Sequence, residues 1–509
     1  LAAAGEQLDS ALTPFLDAND NPLPSGDVIV EQGAQLSADS FGRLMLVGAN
    51  VENRGSLEAA DGQVILAAGD ELVLLNSTDS DLRGFLVEVA NGGTVTHSGE
   101  IVTERGNTTL VGLAVNQSGR ISATTSLDVN GSIHLLARDG GSVQNSGGGG
   151  KELISTHTGA LVIDQDSVTE VVAEIGPQNL PLSERDTAID EQPQPLSQIE
   201  LMGRTIHLRG NSRISARGGE VTLNALSDPS DTSGSPLAEN DVRIQMESAA
   251  LIDVSGYDAS KEMASNQIEV ELRGNEFADA PLQKNGPLRG EKVNIDIREG
   301  TPVADVGAFI NSVPKNLAER LSAGGSVTFN SSGEVRLLAG AEIDVSGGTV
   351  DYAAGNITTS QLLAADGRLV DIADASPDVP YRGVARALEI TDEKWQFTQQ
   401  FVGAAFSGDV TRYHDAYQQG QDAGRVVIEA PGMLVENRFV SDTTVGEFQR
   451  NVADRPNGGE LVIGLAPQAG ELQLNRDPQL VGYRAPNIEI DEFSDQPSSG
   501  ALDFNTSLM

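Results

Sequence analysis

Hydrophobic and polar residues alternate with a period of two in short segments along most of the chain. Two examples are Gly62-Gln63-Val64-Ile65-Leu66 and Gly219-Glu220-Val221-Thr222-Leu223, in which aliphatic residues stand two apart after a glycine. A period of two is the side-chain period of a β-strand. The segments are separated by Gly, Asn, Asp and Ser, which tolerate the left-handed backbone of sharp turns. The pattern therefore predicts short strands joined by tight corners.

The strand segments recur at a nearly constant interval. The aliphatic residues Leu36, Leu57, Ile101 and Ile121 occupy the same place in one recurring phrase, at steps of 21, 44 and 20 residues. A strand-turn unit of this length that repeats is typical of a solenoid. Residues 325–347 hold three such strands, enough for one triangular turn. We therefore predict a parallel β-helix with coils about 4.8 Å apart. The alternative is a set of antiparallel sandwiches, which need no fixed period.

The alternation also predicts which side chains point into the solenoid. Within 325–347, Arg336, Asp344 and Ser346 are expected to face solvent. The positions predicted to face inward are Val64, Leu66, Val221, Leu223, Val335, Leu337, Ala339, Ile343, Val345, Val426 and Ile428.

Several stretches interrupt the repeat and are predicted to lie outside the coils. They are rich in Pro and acidic residues or lack the alternation. The predicted boundaries are 1–24 (a link), 25–165 (coils), 166–198 (an acidic extra-helical loop), 199–273 (coils with short insertions), 274–324 (an insertion with a short helix at 314–321), 325–364 (coils), 365–423 (an aromatic-containing insertion) and 424–509 (coils and the C-terminal end).

Composition narrows the possible functions. The net charge of −41 repels nucleic acid and anionic lipid, so neither is expected as a partner. No window approaches 18 consecutive apolar residues, so no membrane insertion is expected. Cysteine is absent, which excludes disulfides and thiol nucleophiles. Aromatic residues make up only 4% of the chain, so the core must consist of small aliphatic side chains.

The sequence contains no convincing catalytic, cofactor or metal motif. The glycine run before Lys151 lacks the remaining positions of a phosphate loop, and a calcium-like loop starting at Asp17 has Pro22 where glycine is needed. The histidines show no metal-ligand spacing, and His134 and His207 are expected on solvated outer faces. We predict no enzyme activity and no cofactor, and leave open opportunistic Ca²⁺ binding by acidic loops.

The order of the phrases resembles that of the filamentous haemagglutinin family, the large exoproteins of two-partner secretion in Gram-negative bacteria. The similar stretches are 44–57, 61–69, 341–350, 355–359, 370–373, 381–383 and 417–424. The resemblance implies a right-handed parallel β-helix, export through a dedicated outer-membrane transporter, and a filament that is secreted or held at the cell surface. The family's amino-terminal secretion domain is missing, so the chain is expected to be a processed or truncated piece of a longer protein.

The function expected from the resemblance is that of a structural and adhesive surface filament. Binding surfaces favour aromatic anchors, and the scarce aromatics gather in one insertion. The candidate contact residues are Trp395, Phe397, Phe401, Tyr413 and Tyr417. The expected partners are other copies in a fibre, or cell-surface glycans and receptors. These aromatics could instead brace the insertion against the coil.

Two other functions remain open. One is the stalk of a contact-dependent toxin delivery protein. The other is a polysaccharide-active enzyme with carboxylates at Asp253, Asp344 and Asp351. Because Asp253 and Asp344 recur in the same Ile-Asp-Val-Ser-Gly phrase, they are more typical of a structural corner.

Overall fold

A computed structural model describes residues 26–77, 83–145, 151–175, 194–230, 241–385, 388–392, 394–395, 397–401 and 408–464. The predicted link 1–24 and the predicted C-terminal coils beyond residue 464 lie outside these ranges. Most described residues belong to strands, and three long parallel sheets organise them.

Each of the three sheets contains nine parallel strands, one from each successive coil. The strands of sheet 1 are Val28–Val30, Val51–Asn53, Thr94–His97, Ala114–Gln117, Ala160–Ile163, Thr205–Leu208, Arg243–Met246, Glu334–Leu337 and Gly432–Val435. The strands of sheet 2 are Gln35–Ala38, Ser56–Ala59, Glu100–Glu104, Arg120–Thr125, Val168–Ala173, Arg213–Ser215, Leu251–Asp253, Glu342–Asp344 and Arg438–Val440. The parallel strands of sheet 3 are Arg43–Gly48, Gln63–Asn76, Asn107–Gly112, Ser132–Asp139, Gln198–Gly203, Glu220–Ala225, Ser326–Ser331, Arg425–Glu429 and Glu460–Ile463.

The chain visits sheets 1, 2 and 3 in that order and then begins the next coil. Equivalent residues of neighbouring coils are paired, so that Val221 lies beside Val327 and Val327 beside Val426. This arrangement is a parallel β-helix, as the sequence predicted. The alternative of antiparallel sandwiches is wrong, because all pairings between coils are parallel in the described residues.

The interior of the coil is a continuous stack of aliphatic side chains. All the residues predicted to face inward are buried except Ala339. Ala339 is exposed because its strand ends at Leu337, and the chain has already turned into the corner before sheet 2.

A column of buried polar side chains interrupts this apolar interior at one corner of the coil. Asn53, His97 and Gln117 occupy paired positions at the end of sheet 1 and are fully buried. Asn53 Nδ2 lies 3.1 Å from His97 Nδ1, while His97 Nε2 lies 3.1 Å from the carbonyl of Arg120. Gln117 donates to the carbonyls of Gly119 and Val168. The column therefore satisfies its own polar atoms at successive corners of the coil.

Two long insertions leave the coil at the same corner of successive turns. In an uninterrupted coil, Gly219 N donates to Ala216 O and closes a tight turn between sheets 2 and 3. In the next two coils the equivalent bonds run from Gly325 to Val254 and from Gly424 to Val345, each 2.7 Å long. Residues 255–324 and 346–423 thus replace a two-residue turn, and the coil closes as if they were absent.

The two insertions fold together into one unit, here called the extra-helical module. Phe277 and Leu288 of the first insertion share a buried core with Leu362, Ile372 and Tyr381 of the second. Its strands are Ala259–Lys261, Gln267–Glu271, Lys292–Asp296, Thr349–Tyr352, Gly355–Thr359, Gln361–Ala364, Leu369–Asp371, Tyr381–Val384, Leu388–Asp392, Phe397–Phe401, Val410–His414 and Tyr417–Gly420. Its α-helices are Gly307–Asn311 and Leu317–Arg320, and its 3₁₀ helices are Met263–Asn266 and Ile372–Asp374.

The observed bounds of the two insertions differ from the predicted ones. The first insertion begins at 255 and not at 274, and the second begins at 346 and not at 365. The sequence misled here because the segments 259–271 and 349–364 also alternate like coil strands, yet they pair within the module. At the predicted acidic loop, Val168–Ala173 belongs to sheet 2, so the coil continues past residue 166.

Shorter segments that leave the coil form additional strands at the outer face of sheet 3. The strand Phe85–Gly92 pairs antiparallel with the second half of Gln63–Asn76. The strands Ser142–Asn145 and Lys151–Ile154 form a hairpin, and His157–Thr158 pairs with the end of Ser132–Asp139. None of the helices in the described residues has the length and apolar character needed to cross a membrane.

Candidate functional site: the extra-helical module

Trp395 stands at the exposed tip of a hairpin of the module. It lies in the turn between the strands Leu388–Asp392 and Phe397–Phe401, and 72% of it is exposed to solvent. The ammonium group of Lys394 lies 5.4 Å from the centroid of the indole ring. Phe397 and Phe401 begin and end the second strand, where they pair with Asp392 and Leu388.

Tyr413 is a second exposed aromatic residue of the module. It belongs to the strand Val410–His414, which pairs antiparallel with Gly355–Thr359, and it is 66% exposed. Trp395 and Tyr413 therefore present aromatic surface to solvent. A partner that covered either ring would remove apolar area from water.

Tyr417 does not present such a surface, so its prediction as a contact residue is corrected. Its ring stacks on Tyr352, with centroids 4.5 Å apart, and Phe448 packs edge-on at 4.7 Å. Its hydroxyl group donates to Asn266 Oδ1 at 3.2 Å. Burial raises the pKa of Tyr417 to about 12, so the phenol remains neutral. Tyr417 is therefore a brace inside the module, which was the alternative interpretation of the aromatics.

Arg298 connects this aromatic stack to charged groups. Its guanidinium group lies 5.3 Å from the centroid of Tyr417 and 4.9 Å from that of Phe448. It also pairs with Asp296 at 2.6 Å and lies 3.2 Å from His414 Nδ1. A cation enclosed by aromatic faces and paired with a carboxylate fixes the orientation of every group that it contacts.

A third segment, 441–459, docks on the module, which the sequence pattern did not predict. Gln449 is buried there, and its amide group exchanges hydrogen bonds of 2.9 Å with the backbone N and O of Gly420. Phe448 completes the aromatic stack. The available signal was an isolated aromatic residue in a Pro- and Gly-containing loop, which does not by itself identify a contact.

The structure does not gather the carboxylates considered for an enzyme into one site. Asp253 and Asp344 occupy paired positions on sheet 2, where each accepts a hydrogen bond from the backbone N two residues later. Such bonds are those of structural corners. Asp351 lies on a separate three-stranded sheet of the module and accepts from Gln418 Nε2 at 2.8 Å.

The two histidines expected on solvated faces differ in their surroundings. His207 is partly exposed, with Nε2 2.7 Å from Glu247 Oε1. His134 points outward from sheet 3 but is buried, with 8% of it exposed, so the prediction of a solvated position is wrong. Within the described ranges, no cluster of three or more His, Asp or Glu side chains could hold a metal ion.

Comparison with known proteins adds no relative. No family model, no curated protein and no solved structure matches this chain, so the resemblance to the filamentous haemagglutinins rests on the sequence phrases alone.

Proposed function

We propose that this chain is part of a structural and adhesive surface filament, in which the β-helix supplies a shaft and the extra-helical module supplies contacts. The observation that carries the proposal is the exposure of Trp395 and Tyr413 on a module that leaves the coil closed behind it. An exposed Trp is costly to leave in water, and it is among the residues that contribute most to binding interfaces.

The shaft supports this proposal through its regularity. In the described residues nine coils share one apolar core, and the strands of each sheet pair between successive coils. A solenoid of this kind gains length without changing its cross-section, since every added coil buries the same strip of side chains. Such a body suits a spacer that holds a binding module away from a surface.

The proposed partners follow from the sequence resemblance and the charge. Export would use an outer-membrane transporter of the two-partner type, which would place the chain outside a Gram-negative cell. There, the module would bind other copies of the filament, or glycans and receptors on a neighbouring cell. The strongly negative net charge disfavours nucleic acid and anionic membranes as partners.

The test is to remove the module while keeping the coil. Residues 255–324 and 346–423 are each replaced by Arg-Gly, the pair that turns the chain at 217–218. The shaft should keep its far-UV circular dichroism. Retention on epithelial cell monolayers, and self-association measured by sedimentation velocity, should both fall. Undiminished adhesion and assembly would exclude the module as the contact surface.

Point variants separate aromatic contacts from loss of the module. Trp395→Ala and Tyr413→Ala should each weaken retention or assembly, by about tenfold if a ring is central to the interface. The matched control is Phe41→Ala, because Phe41 is equally exposed but lies on the first coil. Trp395 is the only tryptophan of the chain, so its fluorescence reports burial by a partner directly.

A further inference from the structure

The outer face of sheet 3 carries an apolar strip across the first five coils, and the strand Phe85–Gly92 packs on this strip. Val87 and Val89 of this covering strand pack on the face. The apolar residues of the face are Met45, Val47, Ile65, Ala67, Val111, Leu136 and Met202. The covering strand therefore shields from water an apolar strip that lies outside the core of the coil.

The covering strand is attached at both ends. At its start, the Gln63 amide group both donates to and accepts from the backbone of Phe85, at 2.8 and 3.0 Å. The Arg43 guanidinium group lies 4.2 Å from the centroid of the Phe85 ring. Towards its end, Gly141 N donates to Val89 O at 2.9 Å.

Glu88 is the one charged residue of the covering strand, and only 1% of it is exposed. One carboxylate oxygen forms an ion pair with Arg138, while Oε2 has no hydrogen-bond partner among the described groups. Burying a carboxylate with an unsatisfied oxygen is costly, and a single cation does not fully offset this cost. Desolvation accordingly raises the pKa of Glu88 to about 7, despite the opposing effect of Arg138.

Four strands around Glu88 carry charged or titratable residues. His134 and Arg138 belong to Ser132–Asp139, and Glu200 of Gln198–Gly203 lies 3.0 Å from His134 Nδ1. Arg138 Nε and His134 Nε2 are also buried without a partner among the described groups. The remaining charged residues of the adjacent strands are Asp70, Glu71, Asp139, Lys151 and Glu152. Arg138 is thus the cation that Glu88 meets, and Glu200 adds a like charge.

We propose that Glu88 makes the covering strand a pH-dependent latch, closed over the apolar strip when the carboxyl group is neutral and destabilised when it is ionised. The geometry carries this inference, because a buried acid with one oxygen unpaired among the described groups lies at the centre of the strand that packs on the strip. Opening would hydrate the carboxylate and expose Ile65, Val111 and Leu136.

The direction of the effect follows from the two states of the latch. In the closed state, the carboxyl group holds its proton up to a pKa of about 7. In the open state it titrates near its ordinary value of about 4.3. Closure is therefore most favourable at acidic pH and weakens as the pH rises towards 7. From pH 5 to pH 8, the equilibrium constant for opening should increase on the order of 100-fold.

Hydrogen–deuterium exchange of the full chain tests the latch. Protection factors for residues 86–92 are measured at pH 5 and pH 8 and corrected for intrinsic exchange at each pH. They should fall by roughly 100-fold at pH 8. Amides of Asn107–Gly112, which lies inside sheet 3, serve as the internal reference and should change far less.

Two variants decide whether Glu88 is responsible. Glu88→Gln removes the titrating group and should abolish the pH dependence while leaving the strand closed at pH 8. Gln63→Ala should loosen the strand equally at both pH values, which separates attachment from titration. The proposal is overturned if wild-type protection changes by less than threefold, or if Glu88→Gln keeps the wild-type pH dependence. A ¹³C titration of the Glu88 carboxyl group provides an independent readout, and a midpoint below pH 5 would also overturn the proposal.

Discussion

At the scale of single residues, glycine sets how closely successive coils can approach. At the corner between sheets 2 and 3, a Cβ atom on Gly424 would lie 1.9 Å from the carbonyl oxygen of Gly325 in the preceding coil. One on Gly325 would lie 2.0 Å from the oxygen of Gly219. No side chain fits at such distances, so the repeated glycine of the sequence phrase is a packing requirement.

The variant Gly424→Ala should therefore destabilise the protein by about 2–4 kcal/mol, because the backbone of two coils must move apart. Urea unfolding at pH 7.5 measures the change. The matched control is Gly458→Ala, which adds a methyl group in the same part of the chain where no atom lies within 4 Å. Equal stability of the two variants would contradict the steric argument.

His97 gives the buried polar column a pH dependence. Desolvation lowers the pKa of His97 to about 4, whereas the unfolded chain titrates near the ordinary value of about 6.5. The neutral ring is therefore the native form. Its contribution is complete above pH 6.5 and is lost as the pH falls towards 4, because the unfolded state then binds the additional proton.

Between pH 7.5 and pH 4.5, the free energy of unfolding should decrease by about 2–3 kcal/mol through His97 alone. Since other groups also titrate in this range, the measurement is the difference between the wild type and His97→Gln at each pH. The wild type should lose its advantage as the pH falls. A difference that stays constant with pH would show that the buried ring is not the titrating group.

At the scale of elements, the coil strands were predictable and the module was not. A coil strand can be recognised in the sequence by its local alternation and its glycine, as in 219–223, because each coil has the same geometry. Module strands such as Gly355–Thr359 alternate in the same way, yet they pair antiparallel within the module and not with the next coil. Local pattern determines that a segment is a strand, but its partner depends on contacts distant in sequence.

The candidate site shows the same limit in its side chains. The aromatics are concentrated in the second insertion, where Trp395 and Tyr413 are exposed. This concentration could not separate them from Tyr417, because the stack that buries Tyr417 draws Tyr352 and Phe448 from other segments. Exposure is a property of the assembled module, and no single segment encodes it.

The docking of segment 441–459 depends on Gln449. Its amide group forms hydrogen bonds with the backbone N and O of Gly420, as a neighbouring strand would. Gln449→Ala should release the segment, since two backbone groups lose their partners. Cleavage by trypsin after Arg450, which lies in this segment, should then be about tenfold faster. Glu447→Ala is the control, because Glu447 is exposed and its ion pair with Arg450 contributes little. Equal cleavage rates for the two variants would rule out the anchoring role.

At the scale of the whole molecule, the module needs both insertions, because its core mixes residues of the two. Replacing only 346–423 by Arg-Gly should leave Phe277 and Leu288 without part of their cover. That variant should bind an apolar dye and aggregate. The variant with both replacements should do neither, because it removes the exposed surface together with its cover. Dye fluorescence and light scattering measure the contrast, and similar behaviour of the two variants would show that the first insertion folds alone.

The closed corners also have a consequence for the order in which the chain can fold. The chain must set aside residues 255–324, complete most of one coil with residues 325–345, and only then supply the second half of the module. Whichever end of the chain folds first, one insertion lacks its share of the module core until the coil at 325–345 has formed and the other insertion follows. The slow step of folding should therefore be the meeting of these two halves, and the interval before it is when the chain is most open to misassembly.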